Sequence, residues 1–88
     1  MNHKELEKVL KALANRRRIA ILKCLKHLNK ASVGVVASEI KLSFRATSRH
    51  LSVLFSADIL EKEQSGLMVL YFISKDKNPI VSKLLSII

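Results

Sequence analysis

The segment Ser43-Phe44-Arg45-Ala46-Thr47-Ser48-Arg49-His50-Leu51-Ser52-Val53-Leu54 carries two patterns at helical spacing. Ser43 is a favourable N-cap, because a short hydroxyl accepts a hydrogen bond from a free N–H of the first turn. Thr47, Leu51 and Leu54 recur at the three- and four-residue steps that line one face of a helix. Phe44, Arg45, Ser48, Arg49 and Ser52 fall on the opposite side. From Leu42 to Ala57 the only ionised side chains are Arg45 and Arg49, four apart and therefore neighbours. These spacings predict a helix from Phe44 to about Ala57 with one side to pack. The other side offers two forked donors, two hydroxyls and an aromatic edge. Such a set matches base-pair edges in a major groove: arginine pairs with guanine or holds phosphate, serine bonds to either, and a phenyl ring lies against a thymine methyl. Taken alone, the same stripe is equally an ordinary polar helix face.

The flanks narrow the choice. Lys41 and Leu42 form a tight turn, and a short helix starting at Ser32 or Val33 runs through Ile40. Two short helices about such a turn describe a helix-turn-helix. Further upstream, Leu6, Val9, Leu10 and Leu13 make an amphipathic helix from about His3 to Ala14, with Glu5 and Glu7 near its positive end. Asn15 caps a second helix that presents Ile19, Leu22, Leu25 and Leu28 and ends near Asn29. Downstream the period changes. Ile59 to Glu63 reads as a strand, Gln64-Ser65-Gly66 as a turn and Leu67 to Ser74 as a second strand, giving a hairpin. Lys75 to Asn78 is a polar break, and Pro79 opens a last helix holding Ile80, Val81, Leu84, Leu85 and Ile88. The expected fold is mainly α with a small β-hairpin, a winged helix-turn-helix of order α-α-α-α-β-β-α, as one domain over residues 1–88.

Composition sets the limits. A chain of 88 residues buries only about 60–65% of its unfolded surface, so a partner subunit is expected to help stabilise it. Cys24 is the only cysteine, which excludes an internal disulfide. With much lysine and no signal-peptide pattern, it points to a reducing cytoplasm. No apolar run approaches the roughly 18–20 residues of a membrane span. Two glycines, Gly34 and Gly66, cannot build a phosphate-binding loop. His3, His27 and His50 have no metal-ligand spacing, and neither paired carboxylates nor a Ser/His/Asp set suggests catalysis. The expectation is a non-enzyme without a cofactor. A net charge of +9 favours a polyanionic partner, against the plainer reading of a solvated lysine-rich surface. The charge is uneven: residues 1–30 hold nine basic and two acidic groups, whereas residues 31–58 and 59–88 each carry only +1. Bulk charge therefore does not single out the Ser43 segment.

Three stretches resemble the ArsR-type (arsenical-resistance repressor) family of dimeric regulators. Residues 10–22, LeuLysAlaLeuAlaAsnArgArgArgIleAlaIleLeu, are similar to that family's opening "ALADPTRLRIL". Residues 42–54 are similar to its "LSQSTVSRHLKVL" recognition segment, the quartet Ser48-Arg49-His50-Leu51 being the most specific part. The strand-turn-strand after Asp58 is similar to its wing. The resemblance implies that the fourth helix reads double-stranded DNA, with Phe44, Arg45, Ser48 and Arg49 at contact positions. It implies too that the first and last helices pair two copies through Leu6, Val9, Leu10, Leu13, Ile80, Leu84 and Ile88, so that a homodimer reads an inverted repeat. Two departures stand out. Where the family has a CysValCys metal motif at the third helix this chain has Ser32, Val33 and Gly34, and residues 78–88 contain none of the Asp, His and Glu ligands of a second family site. No metal site of either kind is therefore expected, and the inducer is unknown.

The expected DNA surface comprises Lys41, Ser43, Phe44, Arg45, Ser48, Arg49 and Ser52, with Lys62 and Gln64 from a weak wing whose Glu61 and Glu63 would repel phosphate. Arg16 and Arg17 are weighed as phosphate contacts, Arg18 as structural, and His50 as touching the core edge or a phosphate. Cys24 lies between apolar neighbours, where a thiol is inert more often than it senses oxidants. The favoured reading is a sequence-specific DNA-binding transcriptional regulator, expected to be a repressor. The alternatives are a winged-helix module for protein contacts and a nonspecific architectural DNA binder. A steep fall of binding with salt marks DNA, and competition by random duplex separates the last case.

Overall fold

Each helix begins on a side chain able to satisfy its own first turn. The computed structural model, which describes residues 1–88, comprises α1 (His3–Leu13), α2 (Arg16–Leu28), β1 (Lys30–Ala31), α3 (Val33–Ile40), α4 (Phe44–Ser56), β2 (Leu60–Ser65), β3 (Met68–Ile73) and α5 (Pro79–Ile87). Asn2, Asn15, Ser32, Ser43 and Asn78 are the five N-caps, each in extended backbone and each accepting from a first-turn N–H. Such a cap is worth about 1 kcal/mol. At α1 the pairing is reciprocal: Asn2 Oδ1 accepts from the Glu5 N–H at 2.8 Å, and Asn2 Nδ2 donates to Glu5 Oε1 at 3.1 Å. Pro79 occupies the first turn of α5, where its missing N–H costs nothing.

Two helix ends share one device. After α3, Lys41 takes a left-handed conformation (φ 56°, ψ 50°), with Lys41 N donating to Ser38 O and Leu42 N to Ala37 O. After α4, Asp58 has φ 60°, with Asp58 N donating to Phe55 O and Ile59 N to Leu54 O. Both are Schellman closures, which satisfy carbonyls that a helix end leaves free. The first makes the tight turn of the helix-turn-helix, and the second swings the chain from α4 into the wing.

The sheet departs from the expected hairpin. It has three strands in the order β1-β3-β2, all antiparallel, with Lys30 opposite Phe72 and Ala31 opposite Tyr71. A two-residue strand is too short to show a period in sequence. Asn29 (φ 69°) turns the chain out of α2 so that Ala31 enters the core beside Tyr71. The wing loop is also one residue later than expected. Ser65 pairs with Met68, leaving Gly66-Leu67 as the two-residue loop, and Gly66 has φ +62°, a value that glycine takes without strain. Gln64 thus belongs to β2, opposite Val69.

The core gathers around α2, which contacts α1, α3, α4, α5 and the sheet. Ile21, Leu22 and Leu25 of α2 meet Val36, Leu51, Leu54, Ile59, Leu60 and Val81, all essentially removed from water. The buried side of α2 is therefore centred on Ile21 and Leu22 rather than on the predicted row, and Leu28 is exposed. The helix is embraced from several sides, so its apolar face is wider than one stripe. Thr47, Leu51 and Leu54 seat α4 as expected, each at 0% exposure.

Candidate nucleic-acid interface

The seating of α4 fixes what its other side can do. Ser43 Oγ accepts from Ala46 N at 3.1 Å, closing the first turn. Phe44 is 62% exposed, Arg45, Arg49 and Ser52 are exposed, and Ser48 is half-buried. No carboxylate engages either arginine; the ion pairs of the chain are Lys11–Glu7 at 4.0 Å and Lys30–Glu63 at 2.6 Å. Two guanidiniums with free fork geometry thus stand beside an exposed phenyl ring at the N-terminal half of a capped helix. Lys41 is exposed at the preceding turn.

The helix is held at a fixed pitch by Arg18. Its Nε donates to Ala12 O at 2.6 Å, its Nη2 to Lys11 O at 3.2 Å, and its Nη1 lies 3.2 Å from His50 Nδ1. The guanidinium therefore caps the C-terminal end of α1 and grips α4 at once. Because arginine can only donate, His50 Nδ1 is the acceptor and the imidazole is neutral. Burial first, then the charges of Arg18, Arg49 and Arg17, hold its pKa below the ordinary 6.5. Of the two roles weighed for His50, the geometry supplies the core-edge one. The cationic first turn of α2 has no acidic residue to offset it, but Asn15 Oδ1 accepts from both Arg17 N and Arg18 N.

The wing is more neutral than its sequence suggests. Glu63 is paired with Lys30, and Glu61 Oε2 accepts from Lys75 N at 3.3 Å. Lys62 is drawn over the Phe55 ring, 4.4 Å from its centroid, and lies 6.0 Å from that of Tyr71. Gln64 Nε2 donates to Gly66 O at 2.9 Å, so this side chain closes the loop. The side chains expected to contact DNA from the wing are thus engaged within the chain, and Leu67, fully exposed, forms the tip.

The residues expected to pair two copies divide into two sets. Val9 and Leu13 are 5% and 8% exposed, already inside the core of the single chain, because α1 leans on α2 and α4 with that edge. Leu6 and Leu10 remain outward and, with His3, Glu7, Lys11 and Ala14, line a shallow hollow of about 360 Å³. Ile80, Leu84 and Ile88 are half-buried at the core margin. Cys24 is half-buried, and burial, followed by the Glu39 carboxylate, raises its thiol pKa. At the start of α3, Ser32 Oγ is occupied in capping, and Val33 and Gly34 bring no donor side chain. These side chains do not fit a thiophilic metal ion.

Sequence reasoning missed the basic side chains that border α4 on its far flank. Lys8, Lys11 and Arg18 line a hollow of about 390 Å³ together with Ser52 and Ser56 of α4. The available signal was the +7 charge of residues 1–30, which says nothing about where those groups meet α4.

No family model matches the chain. It is 37% identical over 81 residues to the transcriptional activator HlyU of Vibrio cholerae, spanning 84% of this chain and 74% of that protein. A solution structure of the homodimeric winged helix-turn-helix DNA-binding domain Mb0332 of Mycobacterium bovis, described as a possible ArsR-family transcriptional regulator, superposes with a TM-score of 0.81. The match has 27% identity over 96% of this chain and 74% of that one. NolR of Sinorhizobium fredii matches with a TM-score of 0.81 and 30% identity, covering 96% of this chain and 80% of that one.

Proposed function

Because the chain belongs to the ArsR family of winged helix-turn-helix transcriptional regulators, we propose that it acts as a homodimer that binds an inverted-repeat DNA operator through α4 and represses by occupying a promoter. One observation carries this reading above the others. Arg45 and Arg49 stand free of any carboxylate on the exposed side of a helix whose opposite side is locked into the core. Phe44, Arg45, Ser48 and Arg49 supply sequence discrimination, and Lys41 and the surrounding basic groups neutralise phosphates. The apolar hollow at Leu6 and Leu10, with the margin at Ile80, Leu84 and Ile88, is the surface that a second copy covers. With its unpaired Cys24, the protein is assigned to the cytoplasm. No helix is long and apolar enough to cross a membrane.

Selection of bound duplexes from a random pool tests the reading and should return an inverted repeat. Arg45→Ala and Arg49→Ala should each weaken binding to the recovered duplex by about 5- to 150-fold, the range for losing one arginine–guanine pair, while the dimer persists. If both variants bind like the wild type, α4 is not the reading helix.

A further inference from the structure

The two hollows beside α4 adjoin. One is lined by Lys8, Lys11, Arg18, Ser52 and Ser56, and the other, about 280 Å³, by Arg18, Arg49 and His50; Arg18 and Val53 belong to both. No carboxylate lines either one. Along α4, Arg45, Arg49, Ser52 and Ser56 follow one another at four-, three- and four-residue steps, so they form a single ledge on the helix. The ledge runs from the guanidinium pair to the two hydroxyls and ends against the lysines of α1. Arg18 has used three of its five N–H donors on Ala12 O, Lys11 O and His50. Lys8 has no carboxylate partner, and Lys11 has only the long, exposed contact to Glu7. Cations and hydroxyls spaced along a trough without acidic groups suit a chain of phosphates.

We infer that this trough carries the phosphodiester backbone of one DNA strand past the C-terminal half of α4, so that the duplex footprint reaches Lys8 and Lys11 of α1. The inference rests on α4 binding DNA and extends that contact to a helix otherwise assigned to pairing. The trough accounts for where the charge of residues 1–30 is used. Phosphate contacts of this kind add affinity without sequence preference.

The experiment measures the dependence of log K on log salt for the full chain on two probes, a duplex recovered by selection and a random duplex of equal length. The variant Lys8→Gln/Lys11→Gln should lower the slope by about 1.8 on both probes, at about 0.9 per phosphate contact, and leave the ratio of their affinities unchanged. Lys23→Gln/Lys75→Gln, which removes the same charge from exposed positions elsewhere, should shift the slope by less than about 0.5, since distant charges are screened. A slope unaltered by Lys8→Gln/Lys11→Gln, or equal changes from the two double variants, overturns the proposal. So does tight binding of inorganic pyrophosphate to the trough with the duplex slope untouched, which would mark a site for a free phosphate compound. Arg49→Ala separates the two layers. If it spares the preference for the selected duplex while Lys8→Gln/Lys11→Gln flattens the slope, the reading helix is misassigned and the trough stands.

Discussion

Thr47 presents a small contradiction in the middle of α4. Its side chain is fully buried, yet its Oγ1 has no hydrogen-bond partner. Leaving a buried hydroxyl unpaired costs about 1–3 kcal/mol. Thr47→Val keeps the shape and removes that cost, so it should raise stability by about 1 kcal/mol in urea unfolding, with DNA affinity unchanged. His50 makes the opposite kind of statement. Its folded pKa is lowered, first by burial and then by Arg18, Arg49 and Arg17. The neutral ring is what the fold requires, and the unfolded chain takes up a proton more readily. Stability is therefore full above the unfolded value of about 6.5 and declines as pH falls through it, levelling off once the folded protein is protonated as well. Melting temperatures measured from pH 8 to 5 should show this decline, and His50→Gln, which keeps an acceptor for Arg18, should flatten it.

Among the elements, the turn between α3 and α4 separates stability from binding most cleanly. Lys41 sits in a left-handed conformation, which costs an L-residue about 1–2 kcal/mol, less the extra entropy that glycine loses on folding. Lys41→Gly should stabilise the fold by up to about 1 kcal/mol and yet weaken duplex binding, because an exposed cation beside Ser43 is lost. A variant that gained stability and kept full affinity would remove Lys41 from the DNA surface. The same element shows what the residue order reveals in advance. Ser43, the buried row of Thr47, Leu51 and Leu54, and the outward arginines are local facts of spacing and capping, and they were readable. So were the N-caps Asn15 and Ser43 and the opening of α5 at Pro79. Other features depended on distant partners. β1 exists because Tyr71 and Phe72 lie opposite Ala31 and Lys30. Glu63 is neutral toward an anion because Lys30 reaches it from thirty-three residues away. Val9 and Leu13 have the period of a free stripe, and only the lean of α1 on α2 and α4 shows that they are already covered. No one-dimensional pattern carries such long-range pairings.

At the scale of the whole molecule, the chain exposes 5835 Å², against about 5200 Å² expected for a compact monomer of 9.9 kDa. The excess fits a fold with a projecting wing and an uncovered outer side of α1, where Leu10 is 48% exposed. Leu10→Glu places a carboxylate in that hollow, and burying it unpaired is costly. Dimer dissociation should rise by at least about tenfold in sedimentation equilibrium, while Tm at high dilution should change little. An unchanged association would move the pairing surface elsewhere. For the wild type, Tm should rise with protein concentration, as mass action requires of a dimer.

Arg18 acts as a mechanical weld as well as a cap. Since one guanidinium fastens the corner of α1 to α4, the seam between two copies and the two reading heads form a single stiff frame, and the distance between heads is set by the fold rather than by the DNA. Such a caliper has no play: one base pair inserted at the centre of the operator would displace the far half-site by roughly 3.4 Å and rotate it by about 35°, and a frame without a hinge could grip only one half at a time.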